Sequence, residues 1–427
     1  MGHVAEPQCA ILPSFVPHCL AQLGLLPNAA ATITLDLQRY RSIGLASVLH
    51  LTYWLAAFVF LFLNASSSFH VIISAIIHPH TANPMLSAIV ETFFVIETNR
   101  GIVFCLVVLY SRKATIQEII LQTEQLMRLF AIPKAYIKKI RRITAAFTLT
   151  IIIIVLSINC LMGFTWSVLY EAGLMWPPYF KLVPIRFAIA VFSVFSLPPD
   201  ILSRVVIVLI SGVGMILLKC LKTIRQSCEP VFRDVTEIRR SRCQYYALSG
   251  LLFYMRTHLG DLLAFLVLAD LGPVCGRLTR LLMSSSDDTE LTPLIGLVKN
   301  CALIVIQGGL YVYALYSPYV ILHRETVKFQ LQLMENKRLL YLSDPVGSKA
   351  ILKELEQYLH VLEKEPLVLS LTHKFQIREN FLLLIATILS SYAFIIYQIS
   401  KETSSWLIPG PIHNDEIGLT TLNHSLV

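Results

Sequence analysis

Seven long apolar runs divide the chain, and polar or charged segments separate them. A helix needs about 20 mainly apolar residues to cross the roughly 30 Å hydrocarbon layer of a bilayer. The runs that meet this length are Ile43 to Leu63, Leu86 to Tyr110, Ile143 to Tyr170, Ile201 to Cys220, Leu262 to Met283, Cys301 to Leu322 and Phe381 to Ile399. The pattern therefore predicts an all-α membrane protein with seven transmembrane helices.

Some of these apolar runs contain features that usually interrupt a membrane helix. Pro198-Pro199 divides a stretch that is too long for one straight crossing, so we expect Ile185 to Leu197 to lie separately, near the outer interface. The second span contains ionisable residues, which can face a bundle interior or a water-filled cavity. The fifth contains a Gly-Pro step at 272–273, and its prediction depends partly on the odd number of crossings that the charge distribution requires.

The overall composition also favours a bilayer as the solvent. Of the 427 residues, 55% are hydrophobic and 15% are charged, and the mean hydropathy is +0.66; soluble domains carry about 25% charged residues. This composition excludes an ordinary soluble enzyme. No nucleophile elbow, metalloprotease helix or nucleotide loop is present, so we expect neither enzymatic activity nor a cofactor. The nine cysteines lack paired spacing, and His78-Pro79-His80 has no nearby carboxylate, so we expect no metal site.

The distribution of Lys and Arg orients the spans. Short cytoplasmic loops are enriched in basic residues, and alternate segments hold 27 Lys and Arg on one side against 6 on the other. This predicts a cytoplasmic segment 1–42, a seven-helix transmembrane domain 43–400 that includes cytoplasmic helices, and an extracellular tail 401–427. The net charge of +8 then belongs to the inner face rather than to a nucleic-acid surface.

Two Asn-x-Ser sequons, at Asn64 and Asn423, fall on the extracellular side of this topology, as glycosylation requires. An odd number of spans with a cytoplasmic N-terminus is the reverse of the G-protein-coupled receptor orientation. That class of receptor is therefore not expected.

Two cytoplasmic segments have the periodicity of amphipathic helices. Between Arg112 and Arg142, one helical face is apolar, at Ile116, Ile119, Ile120, Leu126 and Phe130. The last inner segment contains two such stretches, Val327 to Leu342 and Ala350 to Leu362, separated by a turn signal at 343–347. Such helices pack either on the lipid interface or in a cytoplasmic platform shared among subunits, and periodicity does not distinguish the two.

Several polar or aromatic residues lie in the outer halves of the predicted spans, where a compound from outside has access. They are Glu91, Thr92, Asn159, Trp166, Tyr170, Asn300 and Gln307. Polar groups in the hydrocarbon region are costly unless they are paired, so we expect several of them to converge on one ligand pocket. For each single residue, a hydrogen bond between helices without any ligand is the alternative.

The last span carries a motif, in which Ser391-Tyr392 is followed by five mainly apolar residues and then by Gln398-Ile399. This resembles the signature of insect gustatory receptors, a Thr-Tyr pair, five mainly apolar residues and Gln-Phe. Ser391 stands in place of Thr, and Ile399 stands in place of Phe. The preceding stretch from Glu363 to Arg378 also resembles the family's approach to that span. The predicted seven-span topology extends the resemblance over nearly all of the chain.

The resemblance implies a ligand-gated, non-selective cation channel, related to insect odorant receptors and opened by a small tastant. Such a channel has four subunits, identical or mixed with related receptors, with the last span lining a central pore and the inner helices joining the subunits. The pore-lining positions are Ser391, Phe394, Ile395 and Gln398, which share a face because seven residues make about two turns. A ring of Gln398 amides can replace part of a cation's hydration shell; interhelical hydrogen bonding is the alternative role for Gln398.

The residue after the motif tyrosine bears on the ligand. Sugar-type members of that family commonly carry an acidic residue there, and this chain has Ala393. We therefore expect a bitter or other plant-derived compound, acting at the plasma membrane of a sensory neuron. Two other functions are compatible with the sequence: an odorant-receptor-type channel subunit, and a secondary transporter whose broken helices would be marked by Pro198-Pro199 and the Gly-Pro step at 272–273.

Overall fold

The computed structural model describes residues 52–62, 66, 69, 73, 92, 99–171, 185–228, 232, 234–283, 312–343, 348–371 and 375–406. Within these ranges every regular element is a helix, apart from one isolated antiparallel bridge between Ser370 and Gln376. The all-α prediction is confirmed for this part of the chain.

Several of the described helices extend beyond the apolar runs that predicted them. They are α1 Thr52–Phe62, α2 99–107 with a π-helical turn Val108–Arg112 at its end, α3 Lys113–Leu129, α4 Lys134–Glu171, α5 Ile185–Ser227, α6 Val235–Met283, α7 Val312–Ser343, α8 Lys349–Lys364 and α9 Phe381–Trp406. Stretches long and apolar enough to cross a bilayer lie in α4, α5 and α6, at Lys134–Ser157, Leu197–Ser227 and Val235–Gly276. Two shorter apolar helical stretches, Thr52–Phe62 and Leu383–Ile399, lie in α1 and α9.

Helix α5 lies at the centre of the described bundle and packs most extensively against α4 and α7. Its side chains from Leu202 to Leu217 are nearly all buried. The Tyr319 hydroxyl of α7 donates a hydrogen bond of 2.7 Å to the Ile210 carbonyl oxygen. A Cβ placed on Gly214 would lie 2.9 Å from the Pro318 Cβ, so the glycine allows α5 and α7 to approach this closely.

Helix α5 runs through the paired prolines instead of breaking there. Proline has no N–H, so Pro198 leaves the carbonyl four residues earlier without its helical donor. The Tyr53 hydroxyl of α1 donates to this Val194 carbonyl at 3.2 Å. The Cys105 thiol of α2 donates to the Pro199 carbonyl at 3.3 Å. The Tyr53 hydroxyl thus replaces the backbone donor that Pro198 lacks. Helix α5 is continuous from Ile185 to Ser227, and the prediction of a separate segment from Ile185 to Leu197 is wrong.

The amphipathic helices predicted for the cytoplasmic segments are confirmed as helices. In α3 and at the residue that follows it, Phe130, the whole predicted apolar stripe is buried: Ile116, Ile119, Ile120, Leu126 and Phe130. In α8 the buried face consists of Glu354, Leu355, Tyr358, Leu359 and Leu362. Helix α3 packs on α6, and α8 packs on α6 and α7. Their apolar faces are therefore covered by helices of the same chain, a third arrangement beside the two that periodicity left open.

Polar contacts fix α8 on α6. Arg239 and Arg242 of α6 pair with the Glu354 carboxylate at 2.6 and 3.0 Å. The hydrogen bond from Arg239 lowers the pKa of Glu354, so this largely buried carboxyl group stays ionised. The Tyr358 and Ser241 hydroxyls lie 3.0 Å apart at the buried end of the same contact. The α6–α8 pair therefore has a defined register.

Candidate functional site

Helix α9 has one face that packs against the bundle. Phe381, Ile385 and Ile396 on this face are buried, and the helix contacts α6. The motif residue Tyr392 lies on the same side, and its hydroxyl is 2.8 Å from the Thr279 hydroxyl of α6. The motif tyrosine is therefore a contact between helices, which fixes the rotation of α9 about its axis.

The four predicted pore-lining residues lie on a different face of α9. Ser391 and Gln398 are exposed, as are Phe394 at 60% and Ile395 at 52%. Successive helix positions turn by about 100°, which places these four within a sector of about 100°. In the part of the chain that the structure describes, no helix covers this sector. It is available for a pore or for contact with another subunit.

The first turn of α9 is attached to α7. The Tyr316 hydroxyl donates to the Glu379 carbonyl oxygen at 2.6 Å, and its ring stacks on Phe381 with centroids 5.9 Å apart. Arg324 Nε donates to the Glu379 carboxylate at 2.9 Å. These contacts join α7 to the start of the last predicted span.

His323 lies at the same junction. Burial lowers the pKa of its imidazole, and the nearby Arg378 guanidinium lowers it further, whereas the Glu379 carboxylate opposes them. Its Nδ1 is buried and has no hydrogen-bond partner among the described residues. The environment of the imidazole beside the α7–α9 contact therefore favours its neutral form.

The segment between α8 and α9 also packs closely on α6. The Leu371 and Ile377 amides donate to the Phe375 and Leu369 carbonyls, each at 2.8 Å, and form a short hairpin-like turn. A Cβ on Gly260 of α6 would lie 2.8 Å from the Leu371 carbonyl oxygen. Any other residue at this position would push the turn away. The approach to α9 is thus fixed on two sides, by α6 and by α7.

The predicted ligand pocket lies mostly outside the described residues. Glu91, Asn300, Gln307 and the sequons Asn64 and Asn423 all fall there. Thr92 is helical and exposed, and Asn159, Trp166 and Tyr170 belong to the helical backbone at the outer end of α4. The ligand pocket therefore stays a prediction.

A cavity of about 490 Å³ lies beside α6 and the segment that follows α8. Its polar lining includes Ser249, Arg256, Lys364, Glu365 and Gln376, which the predicted topology places on the cytoplasmic side. No group of three or more His, Cys, Asp and Glu side chains able to hold a metal ion occurs among the described residues.

Sequence patterns missed an ion cluster between α2 and α5. Asp200 Oδ1 lies 3.3 Å from a guanidinium nitrogen of Arg100 and 3.4 Å from one of Arg204. The Arg100 and Arg204 side chains are 7% and 2% exposed. A Cβ on Gly101 would lie 2.8 Å from the Asp200 amide nitrogen, so the two helices touch here. The available signal was the presence of opposite charges in neighbouring apolar runs, since ionisable groups in a bilayer pair with one another.

Comparison with known proteins finds similar structures but no similar sequence. No protein-family model matches the sequence, and no curated protein matches it significantly. The structure is similar to that of the insect olfactory receptor OR5 from Machilis hrabei, with a TM-score of 0.52 and 14% identity over 90% of this chain and 98% of that chain. The same receptor in complex with eugenol gives a TM-score of 0.51 and 11% identity over the same shares. The chain therefore has the fold of this insect olfactory receptor, and three of its described helices are long and apolar enough to cross a membrane.

Proposed function

We propose that this protein is a gustatory receptor that acts as a ligand-gated, non-selective cation channel. Four subunits, identical or mixed with related receptors, surround a central pore in the plasma membrane of a sensory neuron. Each subunit crosses the membrane seven times, with a cytoplasmic N-terminus and an extracellular tail. The proposal depends above all on α9, whose exposed sector carries Ser391, Phe394, Ile395 and Gln398 while its opposite side packs on α6.

The chemistry of this sector suits a cation pore. Gln398 lies near the outer end of the helix, and a ring of neutral amide oxygens can coordinate a cation without retaining it. Phe394 and Ile395, about one turn further inward, supply an apolar constriction that can close by dewetting. The cation therefore meets a polar entrance followed by a hydrophobic gate.

Opening requires a ligand that binds the open state more tightly than the closed state. To move the channels from almost all closed to almost all open, the ligand must bind the open state more tightly by about 5 kcal/mol. We place the ligand in the outer half of the bundle, among Glu91, Thr92, Asn159, Trp166, Tyr170, Asn300 and Gln307. The contacts of Tyr316 and Arg324 with Glu379 give a route from α7 to the start of α9.

We propose a bitter or other plant-derived compound as the ligand. Ala393 occupies the position at which an acidic residue would favour a sugar. The olfactory receptor with the same fold is known in complex with eugenol, which supports a small organic ligand for this fold in general.

An odorant-receptor-type subunit is the second candidate, because the similar solved structures are olfactory receptors. A requirement for a co-expressed partner subunit would favour it over an autonomous taste channel. The transporter alternative is weakened, since α5 and α6 are continuous through the prolines that would have marked broken helices.

Cysteine scanning of α9 tests the pore. Cells expressing Ser391→Cys, Phe394→Cys, Ile395→Cys or Gln398→Cys are recorded during ligand application, and a charged thiol reagent is added from outside. We expect block at these positions and none at the matched control Ile396→Cys, whose site is 2% exposed and faces the bundle. Equal effects on both faces, or no block at any position, would refute the pore assignment.

Epitope tags at both termini test the topology independently. On intact cells, an antibody should reach a tag at the C-terminus and should reach one at the N-terminus only after permeabilisation. Labelling of both ends on the same side would contradict an odd number of spans.

A further inference from the structure

A dense group of basic residues lies at the inner end of helix α4. Lys138, Lys139, Arg141 and Arg142 are all exposed, and they directly precede the apolar part of the helix. No Asp or Glu occurs between Glu124 and Glu171. Within the part of the chain that the structure describes, Lys138, Lys139 and Arg142 form no ion pair. The positive charges of Lys138, Lys139 and Arg142 are therefore not neutralised by a carboxylate of the described residues.

The basic residues share one side of the helix. At about 100° per residue they span roughly half of the circumference, and the opposite side carries the buried Ile140 and Thr144, directed at the bundle. Lys219 of α5 lies apart from this side, with its Nζ 5.7 Å from the centroid of the Tyr136 ring at the contact between α4 and α5. The charges on this side thus form one outward-facing surface.

The same side of α4 becomes apolar further along the helix. Leu149, Ile153 and Leu156 are 58%, 55% and 43% exposed and continue the line of Lys138 and Arg142 at helical spacing. Only 28% of the apolar window of α4 is buried, against 83% for α5. Arg142 and Leu149 are separated by about 10 Å along the axis. A cationic surface followed by an apolar strip matches the two ends of a phospholipid.

We propose that this surface of α4, from Lys138 to Leu156, binds a phospholipid of the inner leaflet whose headgroup carries several phosphate charges. The basic residues contact the headgroup, and the acyl chains lie along Leu149, Ile153 and Leu156. Four cations within about one helical turn exceed what a singly charged headgroup can neutralise, which favours a phosphoinositide. Clusters of Lys and Arg directly cytoplasmic of a membrane helix bind such lipids. The inference depends on the proposed orientation, which puts Lys138 in the cytosol.

A binding assay with the purified full-length chain tests this without any channel current. The probe is a fluorescent short-chain phosphatidylinositol 4,5-bisphosphate, titrated onto the protein in detergent. The test variant combines Lys138→Gln, Lys139→Gln, Arg141→Gln and Arg142→Gln. The matched control neutralises four other exposed cytoplasmic residues, with Arg240→Gln, Lys349→Gln, Lys353→Gln and Lys364→Gln. A third variant, Lys138→Arg with Lys139→Arg, keeps the charge and shows whether the site tolerates substitution.

Each basic residue near a membrane contributes enough to change affinity about fivefold, so we expect at least about tenfold weaker binding for the test variant. The control and the arginine variant should stay within about twofold of the parent protein. Equal weakening by test and control variants would overturn the proposal, because binding would then depend on net charge alone. If the test variant elutes as an aggregate, Lys138→Gln with Arg142→Gln replaces it. This double variant must also bind the lipid more weakly than the control and the parent protein do.

Two further probes identify the source of the phosphate groups. Free inositol 1,4,5-trisphosphate should bind at least about tenfold more weakly than the lipid, because it cannot use the apolar strip. Equal affinity for the free headgroup would overturn the assignment to a lipid. Phosphatidylserine should bind more weakly than the bisphosphate, and the reverse order would contradict a multiply charged headgroup. A negative result in this assay leaves the channel proposal intact, and a loss of channel function leaves this assay unaffected.

Discussion

At the scale of single residues, the hydrogen bond between Tyr392 and Thr279 has a measurable consequence. The two hydroxyls are 2.8 Å apart, and Tyr392 is half-buried. Their bond joins the last span to α6 at the level of the proposed pore. The motif tyrosine thus has a structural reason to be present, whatever the ligand is.

We expect Tyr392→Phe to lower the free energy of unfolding by about 0.5–1.5 kcal/mol, since one hydrogen bond is lost. Thr279→Ala should have a comparable effect, and the double variant should cost less than the two single effects together. Thermal unfolding of the purified variants in detergent measures this double-mutant cycle. Strictly additive effects would show that the two hydroxyls do not interact.

The environment of His323 predicts a pH dependence. Burial and Arg378 lower the pKa of the imidazole below its ordinary value of 6.5. Near and below that value the unfolded chain therefore binds more protons than the folded chain, and stability falls as the pH falls. Glu379 and Arg324 face the same junction. Glu379 opposes the lowering of the His323 pKa only in part, so stability is still expected to fall as the pH falls.

The measurement is the melting temperature of the parent protein and of His323→Gln between pH 7.5 and pH 5. The parent should lose more thermal stability than the variant over this interval, because the variant has no imidazole to protonate. Parallel curves for the two proteins would contradict the lowered pKa.

At the scale of helices, the contact of α5 with α7 depends on Gly214. A Cβ at this position would lie 2.9 Å from the Pro318 Cβ and 3.0 Å from the Tyr319 ring. Overpacking of this kind costs about 1–3 kcal/mol. We therefore expect Gly214→Ala to lower the melting temperature of the purified protein.

Gly250 in α6 is the matched control, because a Cβ there would meet no atom within 4 Å. Replacing an exposed glycine inside a helix with alanine stabilises by about 0.4–1 kcal/mol. Gly250→Ala should therefore leave the melting temperature unchanged or raise it. If Gly214→Ala lowers the melting temperature and Gly250→Ala does not, the loss comes from the contact between the two helices. A similar loss for both variants would contradict this explanation.

The helix elements also differ in how well the sequence predicted them. The apolar residues of α3 and α8 recur at helical spacing, so the sequence predicts that each helix has an apolar face. Any surface packed against that face would bury it. Which surface covers them depends on α6, a distant part of the chain, and periodicity contains no information about a partner. The prolines of α5 misled for a related reason, since the Tyr53 hydroxyl that satisfies Val194 lies 141 residues away in sequence.

At the scale of the whole molecule, apolar side chains stay exposed outside the predicted spans. Leu331, Leu339, Tyr341 and Leu342 of α7 are 59%, 45%, 66% and 70% exposed, on the part of this helix that the predicted topology places in the cytosol. Exposed apolar patches in water mark protein interfaces. Together with the uncovered sector of α9, they fit the proposed assembly of four subunits.

We expect the purified protein to form particles of four 48.1 kDa chains, measurable by mass photometry at nanomolar concentration. Tyr341→Ser with Leu342→Ser should shift the distribution toward smaller particles, because buried apolar anchors contribute most of the energy of an interface. Lys349→Ser, at an exposed polar position, should not. A monomeric parent protein would contradict the four-subunit channel.

The sequence by itself determined that the described part of this protein is helical and that several of its helices are long and apolar enough for a bilayer. It also predicted the side of the membrane on which the positive charge lies. These properties follow from local composition, from periodicity and from the positive-inside bias, all of which act along the chain. The tertiary structure alone decided that Asp200 meets Arg100 and Arg204, that Tyr392 meets Thr279, and that one sector of α9 is uncovered. Such pairings depend on how distant helices rotate against one another, because packing selects a single arrangement from many with the same apolar pattern.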